Sequence, residues 1–300
     1  MLDLRLVVVS YRTAADVARL IATVPDSVDD LGWEVVIVNN EPADAEALAE
    51  LVELHHPRVR LIETGANLGY SGGLNLGTAQ ASPSRWTVFL NPDLLLGPSA
   101  LARMARHAGD TRAVVPAIVD GDGVQHLSLR REPSVLGALG DALFGSRWVR
   151  RPAALSETVR AAQQYGQPTT VDWATGAALL VPTALTCTVG GWDSDRFFLY
   201  SEETDYCRRL RSAGTEIHYL PDAVVVHRGG GSGSSDALHA LREVNKVRYF
   251  DKWHGSFATT AFRGVIVLDN LLRIHRSRSR AALGALLRSS ARTRLPGGSR

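Results

Sequence analysis

WTVFLNPDLLL, residues 86–96, runs apolar from Trp86 to Leu90, breaks at Asn91-Pro92-Asp93 and returns to leucine. A short run apolar throughout predicts a strand buried on both faces rather than a half-solvated one. Pro92 stiffens the turn that follows. In extended chain, Asn91 and Asp93 stand at i, i+2 and face the same side. Working outward, Leu4–Ser10, Val35–Val38 and Val59–Ile62 read as strands of the same kind. Between them lie a helix over Ala14–Val24, with Val17, Leu20, Ile21 and Val24 on one face, and an alanine- and glutamate-rich helix near 43–54. Gly72–Ala81 reads as a third helix. Such alternation predicts an α/β fold with a mainly parallel central sheet flanked by helices. Open sheets of this kind bind ligands beyond the carboxyl ends of their strands. Polar residues stand at those ends: Ser10-Tyr11, Asn39-Asn40 and Asn91-Pro92-Asp93.

Past Val114–Val119, another strand, an Asp-Gly-Asp-Gly turn at 120–123 leads into a hairpin arm. Residues 130–170, with a helical fragment at Val135–Phe144, read as a long excursion over the active face. Trp173–Val181 is strand-like and contains Gly176; a helix near Glu202–Ala213 and strands at Glu216–Tyr219 and Ala223–His227 follow. The glycine/serine run at 228–235 suggests a flexible loop or a hinge to C-terminal helices that begin near Ala237. The expected division is a domain over 1–235, with a ligand-binding half over about 1–120 and a catalytic half over 121–235, and a helical basic extension over 236–300.

Eight arginines and no acid fall between Arg273 and Arg300, so residues 1–272 hold 25 basic against 31 acidic groups, a net of −6. An acidic body excludes a nucleic-acid-binding surface on charge grounds. Cys187 and Cys207 give neither a disulfide framework nor metal-site spacing, which makes a reducing compartment the expectation. The N-terminus reads as a first strand rather than a signal peptide. The most apolar stretch, around 261–272, is interrupted by Arg263 and Asp269, short of a membrane span. Residues 261–294, which mix apolar helix positions with eight arginines and no acid beyond Asp269, have the character of a helix lying on an anionic membrane, and equally of a docked helix with a solvated basic tail.

Asn91 and Asp93 admit two readings. One is an Asx turn capping the next helix; the other is a site for a hard divalent cation carrying a diphosphate, for which Mg²⁺ or Mn²⁺ is suited. In DRFFLYSEETDYCRRLRSAG, residues 195–214, Ser201 as a cap, acids in the first turn and an Asp205–Arg209 pair are ordinary helix chemistry. A carboxylate placed just after two phenylalanines is also suited to act as a partly desolvated base. ANLGYSGGLNLG, residues 66–77, permits a tight turn with backbone N–H groups near a ligand, but it is neither a dinucleotide fingerprint nor a Walker loop. His227, at a strand end, is either a satisfied histidine or a metal or phosphate contact. Tyr11 and Trp192 are stacking platforms or core aromatics.

Taken together, VVVSYRT (7–13), VVIVNN (35–40), NLGYSGGLNLGTAQA (67–81), FLNPD (89–93), TGAALLVPTA (175–184), the 189–214 segment and PDAVVVHRGGGS (221–232) resemble, in order, family 2 glycosyltransferases of GT-A fold, particularly bacterial rhamnosyltransferases. The resemblance implies an inverting, metal-dependent transfer from a nucleotide-sugar, with dTDP-rhamnose as donor and UDP- or GDP-sugars as alternatives. It implies a glycan or polyprenyl-diphosphate-linked acceptor in cell-envelope synthesis, and a cytoplasmic enzyme peripheral at the inner face of the plasma membrane. Residue by residue, it implies Glu203 as general base with Glu202, Asp205, Arg209, Trp192 and Asp193 in support. The donor contacts it implies are Ser10, Tyr11, Asn39, Asn40, Asn67, Gly69, Gly72, Asn75, Asn91 and Asp93; Asp93 and His227 take the metal. Trp192 and the 130–170 excursion would position the acceptor. Two departures stand out: Asn39 where the family commonly has aspartate, and Glu203 where it has aspartate. A nucleotidyltransferase would need a basic, glycine-rich loop near the N-terminus, which VVVSYRTAADV lacks. A catalytically inactive sugar-nucleotide-binding or scaffold homologue is the reading of another class.

Overall fold

The computed structural model describes residues 2–145, 148, 151–228 and 235–298; the glycine/serine stretch read as a loop or hinge falls, at 229–234, outside them. The strands are β1 (Leu2–Ser10), β2 (Trp33–Asn39), β3 (Val59–Glu63), β4 (Ser84–Leu90), β5 (Leu94–Leu96), β6 (Ala113–Val119), β7 (Leu129–Arg130), β8 (Thr169–Val171), β9 (Trp173–Ala174), β10 (Ala178–Pro182) and β11 (Ile217–His227). The helices of the body are α1 (Ala14–Ser27), α2 (Ala45–His55), α3 (Gly69–Gln80), α4 (Ala100–Ala108), α5 (Val135–Phe144), α6 (Thr183–Val189) and α7 (Glu202–Ser212). The C-terminal helices are α8 (Asp236–Trp253), α9 (Ser256–Leu272), α10 (Ser277–Leu287) and the short α11 (Ser289–Arg292).

The main sheet has the order β3-β2-β1-β4-β10-β6-β11-β5, with β8 beside β11. Its N-terminal portion, β3-β2-β1-β4, is parallel throughout, as the apolar runs predict. Beyond it the sheet is mixed: β10 runs antiparallel to both β4 and β6, and β5 and β8 run antiparallel to β11. Alternation along β1 sends Leu4, Leu6 and Val8 into one core and Val7 and Val9 into a second, on the opposite face. Both faces are thus covered, which is why the run from Leu6 to Val9 shows no polar alternate.

Three sequence expectations are corrected. Trp173–Val181 is not one strand: β9 pairs with β7 in a separate ribbon, and the chain turns at 175–177 before β10. Gly176 lies in that turn, and a glycine inside an apolar run often marks such a close backbone approach. The two strands expected between 216 and 227 are one, β11, with a register shift between Leu220 and Val224 where Pro221 removes a ladder donor. None of the described residues of the 130–170 excursion lines the cavity at the strand ends. Its helix α5 supplies Val135 and Ala138 to a third apolar cluster built from Ala240, Val244, Phe262, Ile266, Ala282 and Leu286 of the C-terminal helices.

The glycine-rich α3 forms despite low intrinsic propensity because two of its glycines let it press on the sheet. A Cβ at Gly73 would stand 2.8 Å from Val9 Cγ1, and one at Gly77 would stand 2.6 Å from Val7 Cγ1 and 2.9 Å from Val38 Cγ2. Overpacking a core of this kind costs about 1–3 kcal/mol. Gly77→Ala should therefore lower the unfolding free energy by about 1–3 kcal/mol, read as a lower urea midpoint at unchanged slope; stability equal to or above wild type would contradict the close approach.

Candidate active site

A cavity of about 250 Å³ opens where the parallel strands end. Tyr11 and Thr13 line it from the loop after β1, and Asn40 from the loop after β2. Asn67 and Gly69 enter at the start of α3, and Asn91, Pro92 and Asp93 follow β4. Glu202 and Glu203 face it from the first turn of α7, and His227 from the end of β11. Of the expected residues, then, Tyr11, Asn40, Asn67, Gly69, Asn91, Asp93, Glu202, Glu203 and His227 are brought together.

His227 reaches Asp93 through a strand the sequence did not reveal. Short β5 pairs antiparallel with β11, setting Leu94 opposite His227, and His227 Nε2 stands 3.2 Å from Asp93 Oδ1. Among the described residues no group of three His, Cys, Asp or Glu side chains is arranged to hold a metal ion by itself. A carboxylate and an imidazole side by side do fit a cation that completes its shell with diphosphate oxygens and water, the usual arrangement for Mg²⁺ bound with a nucleotide.

Glu202 and Glu203 are hydrogen-bonded to each other in the cavity wall. Burial pushes both carboxyls up, and the charge of Glu203 raises Glu202 further. Two such groups cannot both ionise in a desolvated wall. Glu202, raised the more, keeps the proton and donates it to Glu203, whose carboxylate is also favoured by Arg130 and by a backbone contact at Gly176. One oxygen of each, Glu202 Oε2 and Glu203 Oε2, is buried without a hydrogen-bond partner, as is Asn40 Oδ1. Three unmatched acceptors on one cavity are suited to a ligand rich in hydroxyl or N–H groups.

The turn that delivers these acids is strained. Tyr200 and Ser201 both adopt left-handed backbone, with φ of 70° and 69°, a cost that persists only where surroundings impose it. The fully buried Asn245 of α8 imposes it here, donating from Nδ2 to the carbonyls of Leu199 (2.8 Å) and Tyr200 (3.2 Å). From the other side, Tyr70 N–H donates to Phe198 O, and Gly69, at φ 76°, approaches so closely that a Cβ would lie 2.4 Å from that oxygen. Thr13, Tyr70, Gly176 and Phe198–Tyr200 all line the cavity and were not singled out from sequence. Only Gly176, a glycine in an apolar run, carried a local signal.

Other expected residues stand behind the cavity wall. Ser10 Oγ is 3.0 Å from Thr13 Oγ1 and shapes the loop after β1. Asn39 Nδ2 donates to both carboxylate oxygens of Glu63. Asn75 exchanges hydrogen bonds with the backbone of Trp192 through both ends of its amide, and Gly72 packs over Leu68. Trp192 itself is a buried aromatic, stacked on Tyr206 at 4.2 Å and edge-on to Phe89. Asp205 is fully buried and receives Arg209 Nε, Trp253 Nε1 and Lys252 Nζ. Lys252 also pairs with Asp193 at 2.7 Å. These charges fasten α7 to α8.

The pair has a pH signature. With its pKa raised on folding, Glu202 contributes stability that is full below the ordinary glutamate value of about 4.3 and is lost as pH rises through the raised value. Glu202→Gln removes that loss. Its melting temperature should exceed wild type at about pH 7–8, with the gap shrinking towards about pH 4; a gap that instead widens in acid would reverse the assignment.

The comparisons with known proteins agree with this geometry. The model of glycosyl transferase family 2 matches residues 6–165. The chain is 29% identical over 297 residues to N-acetylglucosaminyl-diphospho-decaprenol L-rhamnosyltransferase of Mycobacterium tuberculosis, covering 93% of this chain and 95% of the relative. It is 22% identical over 211 residues to rhamnosyltransferase WbbL of Escherichia coli, covering 67% of this chain and 75% of the relative. In fold it is similar to mannosyltransferase PcManGT from Pyrobaculum calidifontis, solved with GDP-Man and Mn²⁺ (TM-score 0.55, 17% identity, 100% of this chain and 80% of that one). It is also similar to GalNAc-T7, solved with UDP, GalNAc and Mn²⁺ (TM-score 0.58, 16% identity, 86% of this chain but 49% of that one). With a family match over more than half its length and a fold of the same plan, the chain belongs to glycosyl transferase family 2 and is a glycosyltransferase of GT-A fold related to rhamnosyltransferases.

Proposed function

We propose that the protein transfers L-rhamnose from dTDP-rhamnose to a hydroxyl of a lipid-diphosphate-linked sugar in cell-envelope polysaccharide synthesis. The observation that carries transfer is the meeting of Glu203, Asp93 and His227 on one cavity. The choice of donor and acceptor leans on the relatives whose names specify rhamnose and a diphospho-decaprenol.

In this reading Tyr11 and Asn40 contact the nucleoside, and Asn67 and Gly69 line the diphosphate end of the cavity. Asp93 and His227 would hold Mg²⁺ or Mn²⁺, which supplies positive charge to the diphosphate oxygens. Glu203 accepts the proton of the acceptor hydroxyl while its oxygen bonds to the anomeric carbon and the carbon–diphosphate bond breaks from the opposite face. The nucleoside diphosphate leaves with the electron pair, and the sugar inverts. Glu202, protonated, holds Glu203 in place by its hydrogen bond. Residues 1–235 carry the cavity; residues 236–300 form the extension that braces it through Asn245 and Lys252.

Glu203→Gln should leave dTDP-rhamnose affinity within about threefold while transfer to a polyprenyl-diphospho-N-acetylglucosamine falls at least about 10²-fold. Wild-type transfer in that variant would remove Glu203 as base, and transfer from a UDP- or GDP-sugar alone would replace the donor.

No helix of the described residues is long and apolar enough to cross a membrane. Surface attachment at the inner face of the plasma membrane has its own support. Arg273 donates to Ala142 O, joining the end of α5 to the end of α9. Leu143, Leu271, Leu272 and Ile274 are exposed there, in a chain segment that also carries the exposed Arg276 and Arg280. Apolar side chains within an arginine-rich rim match an anionic bilayer. The protein should sediment with phosphatidylglycerol vesicles at moderate ionic strength, and Ile274→Glu should weaken this by about 1–2 kcal/mol or more; equal binding to neutral vesicles, or none to anionic ones, would count against the face.

A further inference from the structure

Beside the sugar cavity lies a second, smaller niche of about 170 Å³ whose walls include Tyr200, His239, Arg242 and Arg278. Tyr200 lines both, so the two spaces meet at the strained turn that precedes Glu202 and Glu203. Nothing in the sugar-transfer chemistry described above uses the niche.

Its cationic groups are held in place. Asn270, fully buried, donates through Nδ2 to Ile266 O, which leaves Oδ1 to accept from His239 Nε2 at 3.4 Å. The other ring nitrogen, Nδ1, then accepts from Arg242 Nη2 at 3.0 Å. Burial, with Arg242 and Arg278 adding to it, keeps the His239 ring below its ordinary range and therefore neutral, as an acceptor for Arg242 must be. Arg242 Nε turns to Glu243, whose charge Lys246 also meets. Arg278 has no acidic partner among the described residues, and Asp236, the carboxylate in the niche wall, accepts from Ser277 Oγ. Arg242 and Arg278 line one small space, and paired arginines suit the oxygens of a phosphate ester.

We propose that this niche binds the diphosphate of the lipid-linked acceptor, with its sugar directed past Tyr200 into the catalytic cavity. The proposal rests on the sugar-transfer reading and adds to it the residues that select the acceptor. It also links the two surfaces already described. Arg278 lies four residues beyond the exposed Ile274, so a lipid tail resting on the α9–α10 apolar face has its headgroup at the arginines. The acceptor is then read in three places: lipid at the surface, phosphates at Arg242 and Arg278, hydroxyl at Glu203.

The test is calorimetric binding of farnesyl diphosphate, farnesol and inorganic pyrophosphate, each with saturating dTDP to occupy the donor cavity. Wild-type protein should bind farnesyl diphosphate most tightly. Arg242→Gln/Arg278→Gln, both at exposed or half-exposed positions, should weaken it at least about tenfold while farnesol and dTDP affinities stay within about twofold. Unchanged farnesyl diphosphate binding in the double variant would overturn the proposal. So would an equal loss for farnesol, which would assign the arginines to general surface attachment. Pyrophosphate binding as tightly as farnesyl diphosphate would reduce the niche to a free-anion site. dTDP affinity is read in a separate titration of the free protein: a chain that fails to bind dTDP would count against the nucleotide-sugar reading, independently of what the arginines bind.

Discussion

Three parts of the chain meet at the carbonyl groups of Phe198, Leu199 and Tyr200. The first accepts from Tyr70 at the start of α3, and the other two accept from Asn245 of α8. Between these anchors the backbone passes through two left-handed residues that neither tyrosine nor serine favours. Remove either anchor and the turn has a lower-energy conformation to adopt, in which α7 would no longer present its first two residues to the cavity. The C-terminal helices are thus part of the site's construction, even though none of their residues lines the main cavity.

The first turn of α7 also shows how a fold assigns different fates to neighbouring acids. Asp205 is the most buried of the three, yet it has three donors and its charge is matched. A buried carboxylate held by three donors is a fastening, costly to disturb and unavailable to a substrate. Glu202 and Glu203 each keep an oxygen without a partner and must share a proton. Partner count, rather than depth, separates the acids that hold the helix from the acids free to exchange a proton.

The parallel half of the fold was legible because strands buried on both faces leave an unambiguous mark, and polar residues at their ends followed from topology. β5 was not: three leucines after a turn are equally the start of a helix, and only pairing with β11 makes them a strand. Trp192 and the excursion at 130–170 show a related ambiguity. An aromatic or a long loop near acidic motifs invites an active-site role, whereas Trp192 is consumed by stacking on Tyr206 and α5 by the third apolar cluster. Asn245, Arg242 and Arg278 carried no local signal. Their significance lies wholly in what they touch across the chain.

The two departures from the family pattern are resolved by neighbours rather than by the substituted residues. Asn39 lacks the expected charge, but its amide holds Glu63 at 3.0 and 3.2 Å on the adjoining strand, where the register Asn39↔Glu63 sets the two side by side. A carboxylate therefore still stands at this edge of the sheet, displaced by one strand. Glu203 is one methylene longer than aspartate, and its stem runs along Gly176: a Cβ at 176 would sit 3.4, 3.5 and 3.7 Å from its Cβ, Cγ and Cδ. Both departures are therefore set among neighbours from across the chain, and for proton transfer it is placement, more than residue type, that decides the outcome.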